Sequence, residues 1–222
     1  MTLLKKIITI AVASSVTAIM LAGCIRYESP EDQRRAMESR QLEQNTEYAA
    51  MIEGLPRGLH HVEIDVQDYG TISVELDADT APLTVNNFIN LASSGFYNGL
   101  TFHRIMDGFM IQGGDPEGTG MGGSDETIYG EFANNGVPND ISHVRGVISM
   151  ARNGYDYNSA SSQFFIMQED TLSLDGDYAA FGHVTDGMEV VDEICANTVN
   201  TDTNGGVAPE DQPVITEVRV ID

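Results

Sequence analysis

Short runs in which apolar and polar residues alternate dominate the chain after residue 58, and this two-residue period predicts β-strands. The runs at 62–66 and 72–76 flank Gln-Asp-Tyr-Gly at 67–70, which predicts a hairpin. Further strands are predicted at 101–105, 110–112, 147–151, 163–168, 180–184 and 214–221. A chain with this many short strands is expected to form a mainly β domain.

Two segments carry helical spacing instead. Thr80-Ala-Pro82 is expected to begin a helix whose apolar face carries Val85 and Phe88, and Ser94-Gly95 ends it. A shorter helix is predicted at 188–196. Many strands with two helices favour a closed β-barrel that the helices cap at its ends.

An apolar stretch at 7–21 follows Lys5 and Lys6 and ends in Leu-Ala-Gly-Cys24. It is shorter than the ~20 residues that span a bilayer, and its order of charged, apolar and small residues is typical of an export signal. The last four residues resemble the lipobox of bacterial lipoproteins. That resemblance implies a signal peptide at 1–23 and a diacylglyceryl group on Cys24. The alternative is an ordinary secretory signal with a chance cysteine.

Residues 24–58 are expected to be a polar tether between the lipidated cysteine and a domain at 59–222. Ser29-Pro30 could begin a helix, but apolar residues are too sparse there for a continuous core-facing stripe. The segment is interpreted as a solvated helix or a disordered stalk that holds the domain off the membrane.

The charge balance is strongly acidic, with 34 acidic against 11 basic residues and a formal net charge of −23. Such a surface repels nucleic acid and anionic lipid headgroups, so nucleic acid is not expected as a partner. Two interpretations of the charge stay open: an adaptation for solubility, or attraction of basic segments in client proteins.

Residues 102–115, Phe-His-Arg-Ile-Met-Asp-Gly-Phe-Met-Ile-Gln-Gly-Gly-Asp, carry the most informative chemistry. Arg104 lies among apolar residues on a β-prone stretch, and Phe109, Met110 and the amide Gln112 follow it. A fixed cation beside an apolar slot suits a neutral apolar group with a weak acceptor, such as a proline ring with its amide nitrogen. Taken alone, the apolar residues would also fit a plain core, and Arg104 could pair with a surface acid.

Three more runs follow in order along the chain: Arg-Gly-Val-Ile-Ser-Met-Ala-Arg at 145–152, Ser-Gln-Phe-Phe-Ile-Met at 162–167 and Leu-Asp-Gly-Asp-Tyr-Ala-Ala-Phe-Gly at 174–182. With 102–115, they resemble the cyclophilins, a family of peptidyl-prolyl cis-trans isomerases. Ordered runs of this kind are more specific than one short motif. The resemblance covers roughly 59–222 and implies a closed, eight-stranded antiparallel β-barrel. It also implies rotation of X-Pro bonds with no cofactor, no metal and no covalent intermediate.

The resemblance implies a role for each residue of the site. The implied catalytic residues are Arg104, which donates from its guanidinium, Gln112, which orients Arg104 and contacts the substrate backbone, and Phe109. The implied proline pocket is lined by Phe109, Met110, Phe165 and Leu174 and closed by Tyr178. The implied contacts to the residues before proline come from Gln163, Ala151 and the backbone of Arg152.

Several positions depart from the family pattern. Ser173 stands where many members have tryptophan, and the chain has no Trp, so tight binding of the cyclic peptide cyclosporin is not expected. Tyr178 stands where many members have histidine, and it keeps an aromatic wall. Arg152 replaces a common asparagine, and the loop at 153–161 is slightly longer than usual.

The segment 200–211, Asn-Thr-Asp-Thr-Asn-Gly-Gly-Val-Ala-Pro-Glu-Asp, approximates the spacing of an EF-hand calcium loop. It begins with Asn, has Asp rather than Glu at its twelfth position, contains Pro209 and precedes strand signals. We therefore interpret it as an acidic surface turn.

The leading hypothesis is an extracytoplasmic prolyl isomerase, lipid-anchored to a bacterial cell membrane, that acts as a monomer on proline-containing polypeptides such as unfolded or exported proteins. Ile25 follows the lipobox cysteine in place of the aspartate associated with inner-membrane retention, so an outer-membrane location is compatible if the cell has one. Two alternatives stay open: a proline-peptide-binding module or chaperone without useful turnover, and a lipoprotein that serves as an assembly scaffold.

Overall fold

The structure, a computed structural model, describes residues 29–222. Within that range the helices are α1 (Pro30–Met51), α2 (Pro82–Ser93) and α3 (Met188–Asn197). The strands are β1 (Leu59–Val66), β2 (Gly70–Asp77), β3 (Thr101–Met106), β4 (Met110–Asp115), β5 (Val147–Met150), β6 (Phe164–Met167), β7 (Ala180–Asp186) and β8 (Ile215–Val220). Short 3-10 helices lie at Ala133–Asn135, Leu172–Leu174 and Pro209–Asp211. The predicted signal peptide and Cys24 lie outside the described residues.

The described residues divide into two units, one that runs to Glu43 and one at Gln44–Asp222. In the first unit, α1 begins with a reciprocal cap: the N–H of Asp32 donates to Ser29 Oγ at 3.1 Å, and the N–H of Ser29 donates to Asp32 Oδ2 at 3.3 Å. None of the residues of α1 is buried, so Pro30–Met51 is a solvent-exposed helix. No helix within residues 29–222 is long and apolar enough to cross a membrane.

The eight strands form one antiparallel sheet in the order β3-β4-β6-β5-β7-β2-β1-β8. β1 and β2 form the predicted hairpin, in which Val66 pairs with Gly70. Val62, Ile64 and Val66 are buried while their neighbours along β1 are more exposed, as the alternating pattern predicted.

The sheet is an open half-barrel, so the prediction of a closed barrel is wrong. Its edge strands are β3 and β8, and only their ends approach. Thr101 and Val214 form an isolated bridge, and the N–H of Phe102 donates to the carbonyl of Pro213 at 3.0 Å. Pro213 has no N–H to return, so a regular ladder cannot run through it. Alternation in the sequence reports which residues face a core, but it does not report which strands pair at an edge.

Strands β4, β5 and β6 separate two apolar clusters. Phe164 and Ile166 belong to the main core, where Phe88 of α2 meets the ring of Phe164 edge-on at 5.4 Å. Phe165 and Met167 point to the other face of the sheet because successive side chains of a strand alternate. They belong to a second, smaller cluster, whose buried members are Met110, Val147, Phe165, Met167 and Ala180. This second cluster forms the floor of the candidate site.

Candidate active site

The predicted cation and the predicted amide lie opposite each other in the β3–β4 hairpin, where Arg104 pairs with Gln112. Arg104 Nη1 donates to Gln112 Oε1 at 3.1 Å, and Gln112 Nε2 donates to Gln163 Oε1 at 2.9 Å. Gln163 Nε2 in turn donates to the carbonyl of Gly122 at 2.7 Å. This chain of amides fixes the guanidinium from one side.

A backbone carbonyl supports the guanidinium from a second direction. Arg104 Nε donates to the carbonyl of Asn204 at 2.7 Å. Asp202 shapes this turn because its Oδ1 accepts the N–H of Asn204 at 2.7 Å and that of Gly206 at 3.1 Å, and these bonds lower the pKa of Asp202. Gly205 adopts a φ of 87°, where other residues would be strained. The segment 200–211, whose spacing approximates a calcium loop, therefore folds as a surface turn that positions Arg104. Sequence reasoning missed this positioning role.

Two thioethers contact the rest of the guanidinium. Arg104 Nη2 lies 3.1 Å from Met106 Sδ, and Nη1 lies 3.7 Å from Met110 Sδ. The Phe109 ring centroid lies 5.9 Å from Arg104 Cζ, within cation–π range. Burial lowers the pKa of Arg104, but a guanidinium titrates so high that it stays charged.

An apolar pocket opens beside this guanidinium. Its lining residues are Arg104, Phe109, Met110, Gln112, Ala151, Arg152, Phe165, Leu174 and Tyr178. The remaining predicted binding residue, Gln163, lines an adjoining groove together with Gln112, Ala151 and Arg152. The rings of Phe165 and Tyr178 meet edge-on at 5.8 Å, so they form two walls at a right angle.

The side chain of Arg152 is part of the wall rather than of the solvent surface. It is 7% exposed, and its Cζ lies 4.8 Å from the Tyr178 ring and 4.9 Å from the Tyr157 ring. Its Nε donates to the carbonyl of Asp177 at 2.8 Å. The sequence pointed only to the backbone of Arg152, whereas the guanidinium braces the tyrosine that closes the pocket.

A hydrogen-bonded triad with a buried histidine and a buried serine lies behind the pocket, and sequence reasoning missed it. The His143 ring nitrogens lie 2.9 Å from Asp175 Oδ1 and 3.0 Å from Ser149 Oγ, and the imidazole stacks on the Phe165 ring at 6.0 Å. Burial lowers the pKa of His143. Ser149 is fully buried, so its hydroxyl cannot reach a substrate, and the triad supports the Phe165 wall.

Comparisons with known proteins agree with this geometry. The family model described as cyclophilin type peptidyl-prolyl cis-trans isomerase/CLD matches residues 61–220. A peptidyl-prolyl cis-trans isomerase of Helicobacter pylori is 48% identical over 127 residues, which cover 56% of this chain and 74% of that protein. Peptidyl-prolyl cis-trans isomerase-like 1 of Aspergillus oryzae is 42% identical over 154 residues, which cover 69% and 91%.

Solved structures show the same similarity. A crystal structure of a cyclophilin type peptidyl-prolyl cis-trans isomerase from Cryptosporidium parvum is 32% identical, with a TM-score of 0.66, covering 74% of this chain and 99% of that one. A second structure of that protein, in the presence of the dipeptide Ala-Pro, is 34% identical with a TM-score of 0.63, covering 73% and 99%. This chain therefore belongs to the cyclophilin family and is a peptidyl-prolyl cis-trans isomerase.

Proposed function

We propose that the pocket beside Arg104 accelerates X-Pro rotation by binding the twisted prolyl amide better than either planar form. Resonance sets a barrier of ~18–20 kcal/mol for rotation of a peptide bond. Twisting pyramidalises the prolyl nitrogen and leaves a lone pair on it, which an N–H of Arg104 can meet. A donor that binds only this state lowers the barrier. Because no bond forms between substrate and protein, the reaction needs no covalent intermediate.

The pocket also supports the predicted binding roles. Phe109, Met110, Phe165 and Leu174 offer apolar surface to the proline ring, and Tyr178 closes it. Gln112 orients Arg104 and faces the substrate backbone. Gln163, Ala151 and the backbone of Arg152 border the adjoining groove, which we assign to the residues before proline. The single observation that carries this proposal is the guanidinium held at the edge of an apolar pocket.

Substitution of Arg104 by alanine tests the mechanism. Loss of one preorganised transition-state donor should cost ~2.7–4 kcal/mol, or about 10²–10³ in turnover of a proline tetrapeptide. The control is Arg57→Ala, which removes an exposed arginine that pairs with Asp79 at 3.3 Å. If Arg104→Ala kept most of the wild-type kcat/KM, the mechanism would be wrong. Peptide binding without a measurable isomerase rate in the wild type would favour the binding-module alternative.

We further propose that the protein is a lipid-anchored, extracytoplasmic monomer that acts on exported proteins. The support is the order of Lys5 and Lys6, the apolar stretch at 7–21 and Leu-Ala-Gly-Cys24, followed by the polar helix α1. A diacylglyceryl group brings two acyl chains, which suffice for stable anchoring. Mass spectrometry of membrane-purified protein should find this group on Cys24, and Cys24→Ser should lack it and be partly released. An unmodified Cys24 in the membrane fraction would exclude the anchor.

A further inference from the structure

The guanidinium of Arg104 has five N–H donors, and it makes four contacts within the described part of the chain. Nε faces the carbonyl of Asn204, and Nη1 faces Gln112 and Met110. One hydrogen of Nη2 faces the sulfur of Met106, 3.1 Å away. Nη2 carries two hydrogens and makes one of these contacts, so within the described residues it keeps an N–H for a substrate. The nitrogen that is left to meet a prolyl amide is therefore the one that Met106 holds.

We propose that Met106 positions this donor and that oxidation of its thioether by a peroxide inactivates the isomerase. The proposal rests on the role proposed for Arg104. Met106 is partly exposed at the end of β3, and the next two residues, Asp107 and Gly108, are exposed, so an oxidant can approach from solvent. The other thioether at the guanidinium, Met110, is only 1% exposed and is shielded.

The oxidation is a two-electron transfer of one oxygen atom. A lone pair of Met106 Sδ attacks one oxygen of hydrogen peroxide, the O–O bond breaks as the S–O bond forms, and the other oxygen leaves as water. The sulfoxide oxygen is a stronger acceptor than a thioether sulfur, and it needs about 2.7–3.2 Å of its own to a donor nitrogen. Since the sulfur already lies 3.1 Å from Nη2, an oxygen added to the lone pair that faces the guanidinium cannot fit between them. The guanidinium must then move, because Met106 Cγ already lies against Gly205, where even a Cβ atom would clash with it.

The experiment compares kcat and KM on a proline tetrapeptide before and after treatment with hydrogen peroxide. The proteins are the wild type, Met106→Leu and, as a matched control, Met37→Leu, which removes a methionine that is 62% exposed on α1. Before treatment, Met106→Leu should lower kcat about twofold to tenfold with KM unchanged, the range for one neutral hydrogen bond. After treatment, the wild type and Met37→Leu should each lose at least about tenfold, while Met106→Leu should change less than about twofold. Methionine sulfoxide reductases of both stereospecificities should restore the wild type.

A second readout does not depend on any variant. In partly oxidised wild type, the residual activity should fall in proportion to the fraction of Met106 sulfoxide found by peptide mass spectrometry, and it should not follow the oxidation of Met37. Full activity at complete Met106 oxidation, or equal loss in Met106→Leu and wild type, overturns the proposal. If neither Met106 oxidation nor Arg104→Ala changes the isomerase activity, the proposed role of Arg104 is overturned as well. Failure of the Met106 proposal alone is therefore distinguishable from failure of the proposed mechanism.

Discussion

Tyr48 lies near the end of α1, within the compact unit Gln44–Asp222, and contacts a buried carboxylate of that unit. Its hydroxyl donates to Glu131 Oε1 at 2.6 Å. Glu131 is fully buried, and it also accepts the N–H groups of Leu83 at 3.0 Å and Thr84 at 2.8 Å in the first turn of α2. Ala81, the residue before this helix, offers no side-chain cap, so Glu131 supplies the missing acceptor. We predict that Tyr48→Phe destabilises the fold by weakening this arrangement.

The expected loss in the free energy of unfolding follows from the hydrogen bonds that Glu131 keeps in Tyr48→Phe. A hydrogen bond to a charged group contributes about 1.5–3 kcal/mol. Tyr48 is partly exposed and Glu131 keeps its contacts with α2, so the lower end, about 1.5 kcal/mol, applies. In a chain of this length that corresponds to a decrease in Tm of about 3–6 °C. Burial, and then the hydrogen bond to Glu131, raise the pKa of Tyr48, so its hydroxyl remains a donor at neutral pH.

Urea unfolding and thermal melts followed by circular dichroism measure this difference. The matched control is Tyr155→Phe, which removes a hydroxyl from a fully exposed ring. If Tyr48→Phe and Tyr155→Phe unfolded at the same midpoint, the last turns of α1 would contribute nothing to the domain. The boundary expected from the sequence, residue 59, would then be the better one, rather than Gln44.

Two further predictions concern Ser173, the chain neighbour of Leu174, and His143, which stacks on Phe165. Ser173→Trp should tighten cyclosporin inhibition by roughly 1–3 kcal/mol, while turnover of a small proline peptide changes little. Equally tight inhibition of the wild type and Ser173→Trp would contradict the placement of Ser173 at the pocket. Burial lowers the pKa of His143, so the stability it confers is complete above about 6.5, its unfolded value, and is lost as the pH falls through the lower folded value. Urea unfolding between pH 5 and 7.5 should therefore show a steeper decline in the wild type than in His143→Asn, which keeps the contribution of His103, whose pKa burial also lowers. Asp175, whose pKa is lowered, does not titrate in this range, and identical slopes would refute the assignment.

The local parts of the fold and site could be predicted because they depend on residues close in sequence. The alternating pattern located β1 and β2, and the run at 102–115 contains both strands of the hairpin that sets Arg104 opposite Gln112. The pocket residues, which come from segments as distant as Arg104 and Tyr178, were implied by the resemblance to the cyclophilins, and the structure brings all but Gln163 into one lining. Only the local predictions needed no knowledge of how distant segments meet.

The missed features all depend on distant segments or on groups without a sequence signature. The carbonyl of Asn204 supports Arg104 from a hundred positions away, and any residue type carries a carbonyl. The contact between Tyr48 and Glu131 spans 83 positions, and a tyrosine in a polar helix gives no sign of its acceptor. Closure of the sheet likewise depends on whether β3 and β8 meet, which alternation within each strand does not encode.

The groups that hold Arg104 explain how a chain with 34 acidic residues keeps a usable cation in its site. Within residues 29–222, the direct partners of its guanidinium are an amide oxygen, a backbone carbonyl and two thioethers, and none is a carboxylate. A carboxylate would bind more strongly, but it would offset the positive charge and compete with the weak prolyl acceptor. The nearby acid, Asp202, acts through the backbone N–H groups that shape the turn, so it orients the carbonyl of Asn204 without pairing with Arg104. Neutral acceptors thus fix the direction of the donor and leave its charge available to the twisted amide.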